Sequence, residues 1–148
     1  MPADITTDPR VQRVIEAFEG LRREDLARLG EFYTEDARFK DPFNEVQGLA
    51  AIRGVFEHMY EALEVPRFVV TEAVVEGPRC FLVWDFLFRF RRFDRATTQT
   101  VRGGSHLHFA PDGRIALHRD YWDAAEELYE KLPAVGTLMR WLKRRAAT

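Results

Sequence analysis

The sequence predicts an α+β fold in which helices come first and a long, strongly bent sheet follows. Three observations point there. Apolar residues recur at helical spacing as far as Pro66, the chain then changes to runs of β-branched and aromatic residues, and two further helical stretches close it.

The first helix opens at Asp8 and Pro9, an N-cap oxygen followed by a residue whose fixed φ suits a first turn. Val11, Val14, Ile15 and Phe18 mark one face, and Gly20 loosens the end. A second helix is expected in "REDLARLGEFY", with Leu26, Leu29 and Phe32 or Tyr33 on its stripe. A third runs from near Leu49 to Leu63, carrying Ile52, Val55, Phe56, Met59 and Leu63 at helical spacing. Pro66 ends this half. "RFVVTEAVVE", "RCFLVWDFLFRFRRF", "TQTVRGGSHLHF" and "RIALHRDYW" then read as four long strands, separated by Gly77-Pro78, "DRATT" and "APDG". Such short connections favour an antiparallel meander. "DAAEELYEKL" and, after Pro133, "AVGTLMRWLKRR" read as closing helices. No repeat, low-complexity tract or linker divides residues 1–148, so one domain is expected.

Composition narrows the function. An apolar share of 46% beside 31% charged residues is that of a folded globule rather than a disordered chain. Aromatic residues reach 13%, with 12 Phe, which suits a large core, a wide apolar pocket or a subunit interface. The net charge of −2 offers no general field for nucleic acid. The basic clusters "FRFRRFDR" and "RWLKRR" read as a solvated strand rim and a solvated helix face. Neither nucleic acid nor a membrane is an expected partner. The lone Cys80 sits in an apolar run, as a buried thiol outside any disulfide framework. With a polar N-terminal stretch and no apolar run of bilayer length, a cytoplasmic setting is expected.

Within "CFLVWDFLFRF", Leu82, Trp84, Phe86, Phe88 and Phe90 share one face, and Phe81, Val83, Asp85, Leu87 and Arg89 the other. Both faces are largely apolar, so both need cover. Helices supply one cover. A second copy of the chain is the simplest other one, so a homodimer is expected. Asp85 needs a partner there, for which Arg102 and Arg89 are the candidates.

Two places carry candidate chemistry. In "ARFKDPFNEVQG", Asp41 precedes Pro42 at the end of a short alternating run, and Asp-Pro is a good turn pair whose carboxylate accepts nearby backbone N–H groups. The other reading surrounds Asp41 with Phe39, Phe43 and the helix after Gly48. A carboxylate there loses hydration and becomes a better base near neutral pH. In "LHRDYWD", His118 and Asp120 lie two apart on the last strand and face the same way, with Trp122 beside them. A four-residue "APDG" loop sets Phe109 opposite Arg114 and Ser105 opposite His118, with His106 and His108 turned away. A three-residue loop sets His106 opposite His118. The four-residue loop is preferred, and His106 stays an alternative. A structural reading, in which His118 is a hydrogen-bonded sheet histidine and Asp120 pairs with an Arg, stands beside the catalytic one. Four His without Cys–His or His–Glu spacing argue against a zinc site. "RGGS" lacks the phosphate-loop Lys and the dinucleotide Gly spacing, and Ser105 has no GxSxG elbow. No metal or cofactor is expected.

The stretch "FYTEDARFKDPFNEVQGLAAIRGVFEHMYEAL" resembles the first half of the nuclear transport factor 2-like superfamily, in its ketosteroid isomerase and SnoaL-like polyketide cyclase branches. The carriers are aromatic-Tyr-x-x-Asp-Ala, then Asp-Pro, then Gly-x-x-x-Ile-Arg. The order of helices and strands extends the resemblance over nearly the whole chain. It implies a cone-shaped domain whose curved, mainly antiparallel sheet wraps a deep apolar pocket and dimerises through its outer face. It sets Asp41 at the isomerases' proton-shuttling Asp, and Asp120 at the cyclases' base on the last strand, with His118 or His106 as its partner. The isomerases' oxyanion donors do not carry over. Ala17 stands where they have a Tyr and Ser105 where they have a protonated Asp, which makes steroid isomerisation unexpected.

This fold hosts enzymes and binders alike. The expected function is a cofactor-independent isomerase- or cyclase-type enzyme for a small hydrophobic carbonyl or polycyclic substrate. Asp41 or Asp120 would be the base and His118 its orienting partner. Phe39, Phe43, Phe56, Tyr60, Trp84, Ser105, His106 and Trp122 are the expected pocket residues. A non-catalytic binder of a hydrophobic ligand and a protein-docking domain of the same fold are the alternatives.

Overall fold

A computed structural model of the chain describes residues 5–92 and 94–147. The polar stretch before Ile5, Phe93 at the end of the second expected strand, and Thr148 lie outside the described residues. Helix α1 (Pro9–Glu19) forms as expected: Asp8 accepts from the Arg10 N–H at 2.9 Å, and Val11, Val14 and Ile15 are buried. The second helical stretch is a 3₁₀ helix, Arg23–Glu31, broken at the non-helical Arg28. Apolar residues three apart, such as Leu26 and Leu29, line up in a 3₁₀ helix as well as in an α-helix, so their spacing does not separate the two. Tyr33 is not on that helix. It starts strand β1 (Tyr33–Lys40).

A tight turn over residues 41–44 leads to β2 (Glu45–Gln47), and Gly48, at φ 94°, turns the chain into α2 (Leu49–Ala62). Gly adopts that φ freely, and other residues do not. The helix stops at Ala62, ahead of Pro66, which lies inside β3 (Leu63–Glu76). This corrects the placing of the helix–sheet boundary at Pro66. β3 is an edge strand whose pairing with β4 (Arg79–Phe90) shifts between Glu64 and Arg67, and a residue without an N–H is tolerated at such a place.

With β5 (Gln99–Phe109) and β6 (Ile115–Tyr121), the described strands form one curved sheet of six in the order β2-β1-β6-β5-β4-β3. β3 to β6 are the antiparallel meander read from the sequence. β1 runs parallel to β6 and extends the sheet beyond it. Helices α1 and α2 pack into the core with the face of β4 that carries Leu82, Trp84 and Phe88. Ile52, Leu82, Leu107 and Ile115 are wholly inside, and each contributes about 1.5–3 kcal/mol by leaving water.

The other face of β4 is only partly covered within one chain. Arg102 stands opposite Asp85 on the ladder, yet its guanidinium bonds the buried Glu127 at 2.9 Å. Past β6, Asp123 caps a helix α3 (Ala124–Glu127) that is shorter than expected. A 3₁₀ turn (Tyr129–Lys131) and then α4 (Val135–Ala146) follow.

Candidate active site

Strands β4, β5 and β6 bring Trp84, Ser105, His118 and Asp120 together, and β1 adds Tyr33 beside them. The indole Nε1–H of Trp84 donates to Ser105 Oγ at 2.8 Å, so the serine proton goes to Asp120 Oδ1, 2.5 Å away. His118 Nε2 meets the same Oδ1 at 2.6 Å, and its Nδ1 meets the Tyr33 hydroxyl at 2.6 Å. Burial, with the Asp120 charge adding to it, pushes the Tyr33 hydroxyl well above the usual tyrosine range, so it keeps its proton. The tautomer follows from these bonds: Tyr33 donates to Nδ1, and the Nε2–H donates to the Asp120 carboxylate. Phe39, edge-on at 4.8 Å, and the stacked Tyr33 ring at 5.9 Å hold the imidazole in place.

A small cavity lies against Asp120 and His118, walled by Phe18, Phe56, Phe68, Val70 and Leu82 and bounded also by Trp84 and Ser105. It leaves about 20 Å³ for water centres, room for one water. Both hydrogen bonds to the Asp120 carboxylate fall on Oδ1. Among the described residues no buried side-chain oxygen lacks a partner, so Oδ2, which has none, reaches open space.

Of the residues singled out in the sequence, Asp120, His118, Ser105, Trp84 and Phe56 line this cavity, and Phe39 lies against His118. Asp41 does not join them. Its Oδ1 accepts the N–H groups of Phe43 at 2.8 Å and Asn44 at 2.6 Å, while Asn44 Nδ2 spans both carboxylate oxygens at 3.1 and 3.2 Å. Of its two readings, the turn-former is the one the geometry fits. The aromatic surround is missing, because Phe43 is 55% exposed. Phe43 instead sets its ring against Trp122 at 5.5 Å and Tyr129 at 6.4 Å, away from the cavity lining. Tyr60, on α2, is pushed up to about 12 by burial and then by the charges of Asp25 and Glu24, so it faces the first 3₁₀ helix. His106 is a correction. It lies on the other sheet face, ring to ring with His108 at 5.0 Å.

Neither loop length anticipates the pairing seen. A register shift between His108 and Phe109 leaves Leu107 opposite His118, and Ser105 opposite Asp120. Ser105 has thus slipped by two places from the preferred register, and an even slip keeps every side chain on its face. Ser105 stays with the His118–Asp120 pair and His106 stays away. Tyr33 is the member that sequence reading misses, because "REDLARLGEFY" looks helical. The available signal was the alternation of Ala37, Arg38, Phe39 and Lys40, which marks a strand there but breaks at the exposed Glu35 and Asp36 before it reaches Tyr33.

Residues 11–118 match the family model of the SnoaL-like domain, a span that includes Tyr33, Ser105 and His118 and stops before Asp120. Solved structures share the fold at low identity. A protein with a ketosteroid isomerase-like fold from Catenulispora acidiphila DSM 44928, in complex with trimethylamine, has a TM-score of 0.70 at 18% identity, over 83% of this chain and 92% of that one. A SnoaL-like polyketide cyclase candidate from Jannaschia sp. CCS1 has 0.67 at 19%, over 82% and 92%. TsrD from Streptomyces laurentii has 0.67 at 19%, over 87% and 99%. At such identities the likeness shows the fold alone. No curated protein matches the chain in sequence. Taken with the six-stranded curved sheet, the family match shows that the chain belongs to the SnoaL-like domain family and has the nuclear transport factor 2-like fold.

Proposed function

We propose that the chain is a cofactor-independent enzyme that moves a proton on a small hydrophobic carbonyl or polycyclic compound, with Asp120 as the base. One observation carries this. Asp120 lines an aromatic cavity with Oδ1 held by Ser105 and His118 and Oδ2 left unbonded. A carboxylate so held keeps its direction, and a free oxygen beside an apolar wall is placed to take a proton α to a carbonyl. His118 orients the carboxylate through its Nε2–H, and the proton taken up on Oδ2 is returned to the substrate by Asp120 itself.

The cavity is poor in other donors, since the Trp84 N–H is already bonded to Ser105. A substrate must therefore spread the developing enolate charge over its own conjugation, which suits polycyclic or 1,3-dicarbonyl compounds better than a simple ketone. Entry has to displace wall side chains, of which Phe18 and Phe68 are half-buried. The test is exchange in D₂O, in which carbonyl compounds of this class are incubated with the protein and followed by proton NMR at the α carbon. Catalysed exchange that Asp120→Asn lowers on the order of 10²–10⁴-fold is expected. Equal exchange in the two proteins sinks the assignment of Asp120.

A second reading rests on a different observation. The cavity is nearly filled, and Val74, Phe81 and Tyr121 are left exposed. These features suit a domain that docks by its outer sheet face, first of all onto a second copy of itself. Sedimentation velocity of the wild type and of Phe81→Asp decides it. A dimer that the substitution dissociates supports this reading, and a wild-type monomer at micromolar concentration ends it.

A further inference from the structure

We propose that α4 is an interfacial helix that seats on an anionic membrane surface. It packs on its own domain with its polar side. Gly136 lies so close to the Glu130 backbone that a Cβ there would come within 2.3 Å of the carbonyl oxygen. Arg140 Nη1 donates to that oxygen at 2.5 Å, and Lys143 reaches Glu126 and Glu130, each at 3.8 Å. The apolar side is left to solvent. Val135, Leu138 and Leu142 follow the i, i+3, i+7 spacing of one face, and Trp141 adjoins them. All four are between 40% and 51% exposed.

Charge decides what covers that stripe. Residues 132–147 hold Arg140, Lys143, Arg144 and Arg145 and no acid. At 3.6 residues per turn Lys143 and Arg144 flank the stripe on its two sides, while Arg145 lies on it at its C-terminal end with its guanidinium over the Trp141 ring at 5.5 Å. An apolar stripe with a Trp between cationic edges suits the headgroup layer, where Leu and Trp enter the acyl boundary and the cations meet lipid phosphates. The same charges count against a second copy on this face, because pairing two such helices sets cations against cations. With 12 residues α4 is too short to span a bilayer, so it lies on the surface. The sequence alone had suggested a solvated helix face for "RWLKRR". The direction of the apolar stripe changes that reading.

The test is sedimentation of the whole protein with vesicles of phosphatidylcholine alone, and with vesicles in which about a third is phosphatidylglycerol. Binding to the anionic vesicles only, weakened by salt, is expected. Trp141 emission should shift to the blue on binding, read as the wild type minus Trp141→Phe. Replacing Arg144 and Arg145 by Gln lowers the association constant about fivefold per charge, and Leu138→Glu with Leu142→Glu lowers it more than about tenfold. All four positions are exposed, and circular dichroism checks that the variants stay folded. No binding to anionic vesicles at low salt, or binding that neither pair of changes weakens, overturns the proposal. So does loss of a dimer in Leu138→Glu/Leu142→Glu without vesicles, which would assign the stripe to another copy.

Discussion

Asp41 and Asp120 stand near the ends of two neighbouring strands, β1 and β6, and are held in opposite ways. Among the described residues, the hydrogen bonds to the Asp41 carboxylate come from within three residues, from Phe43 and Asn44, and both of its oxygens are used. The bonds to Asp120 belong to a network drawn from β1, β4, β5 and β6, and they converge on one oxygen. A carboxylate saturated by its own turn is a structural part. One restrained from other strands is aimed, and it keeps an oxygen for something else.

The largest expected effect is kinetic. Under the proton-transfer proposal Asp120→Asn loses on the order of 10²–10⁴-fold in α-proton exchange, and Asp41→Asn leaves the rate unchanged. A comparable loss in both variants would erase the distinction between the two acids.

The next effect lies at the far end of the network. Tyr33→Phe removes the donor to His118 Nδ1 and leaves that buried nitrogen unbonded, at a cost of about 1–3 kcal/mol in urea unfolding. The nitrogen chemical shifts of His118 should show a bare Nδ1 and a protonated Nε2 in the wild type, and a mixture in the variant. Identical shifts in both would remove Tyr33 from the setting of the tautomer. Tyr33 also sets an alkaline edge. Its hydroxyl titrates near 10.0 when unfolded and above that when folded, so the folded state holds the extra proton. This contribution is fully present below about pH 10 and is lost as pH rises from there through the higher folded value. A plot of stability against pH should therefore fall more steeply above that point in the wild type than in Tyr33→Phe.

Gly103→Ala presses on the wall of the Asp120 site, since a Cβ would lie 2.6 Å from the Trp84 ring and 3.0 Å from Trp122 Cβ. It should cost about 1–3 kcal/mol through overpacking. A thermal midpoint equal to the wild type's would mean that the indole simply moves aside. The smallest effect belongs to the turn. Asp41→Ala loses partly exposed bonds, for about 1 kcal/mol in urea unfolding, and a much larger loss would give Asp41 a role beyond the turn.

What could be read from the sequence follows one rule. Features written in backbone periodicity or in adjacent residues were legible. Asp8-Pro9 marks a helix start, Leu82, Trp84 and Phe88 share the buried face of β4, and His118 and Asp120 two places apart must face the same way. The mistaken loop length left Ser105 on the right face only because the slip was even. Pro66 misled, since the sequence does not say that β3 is an edge strand, where a missing N–H is harmless.

The sequence by itself determined the family, the α+β order and the pairing of a His with an Asp on the last strand. Tertiary structure alone decided which of the two acids keeps an unbonded carboxylate oxygen beside a cavity. Asp41 and Asp120 are the same residue type, each placed next to aromatic residues in the chain, and nothing local says which of them other strands will grip. The parallel pairing of β1 with β6 brings Tyr33 to His118 across 85 positions of sequence, and the path of the chain after β6 turns the apolar stripe of α4 outward. Both depend on contacts between segments far apart in the chain. Periodicity reports the face a side chain occupies, and only the folded packing reports what lies opposite it.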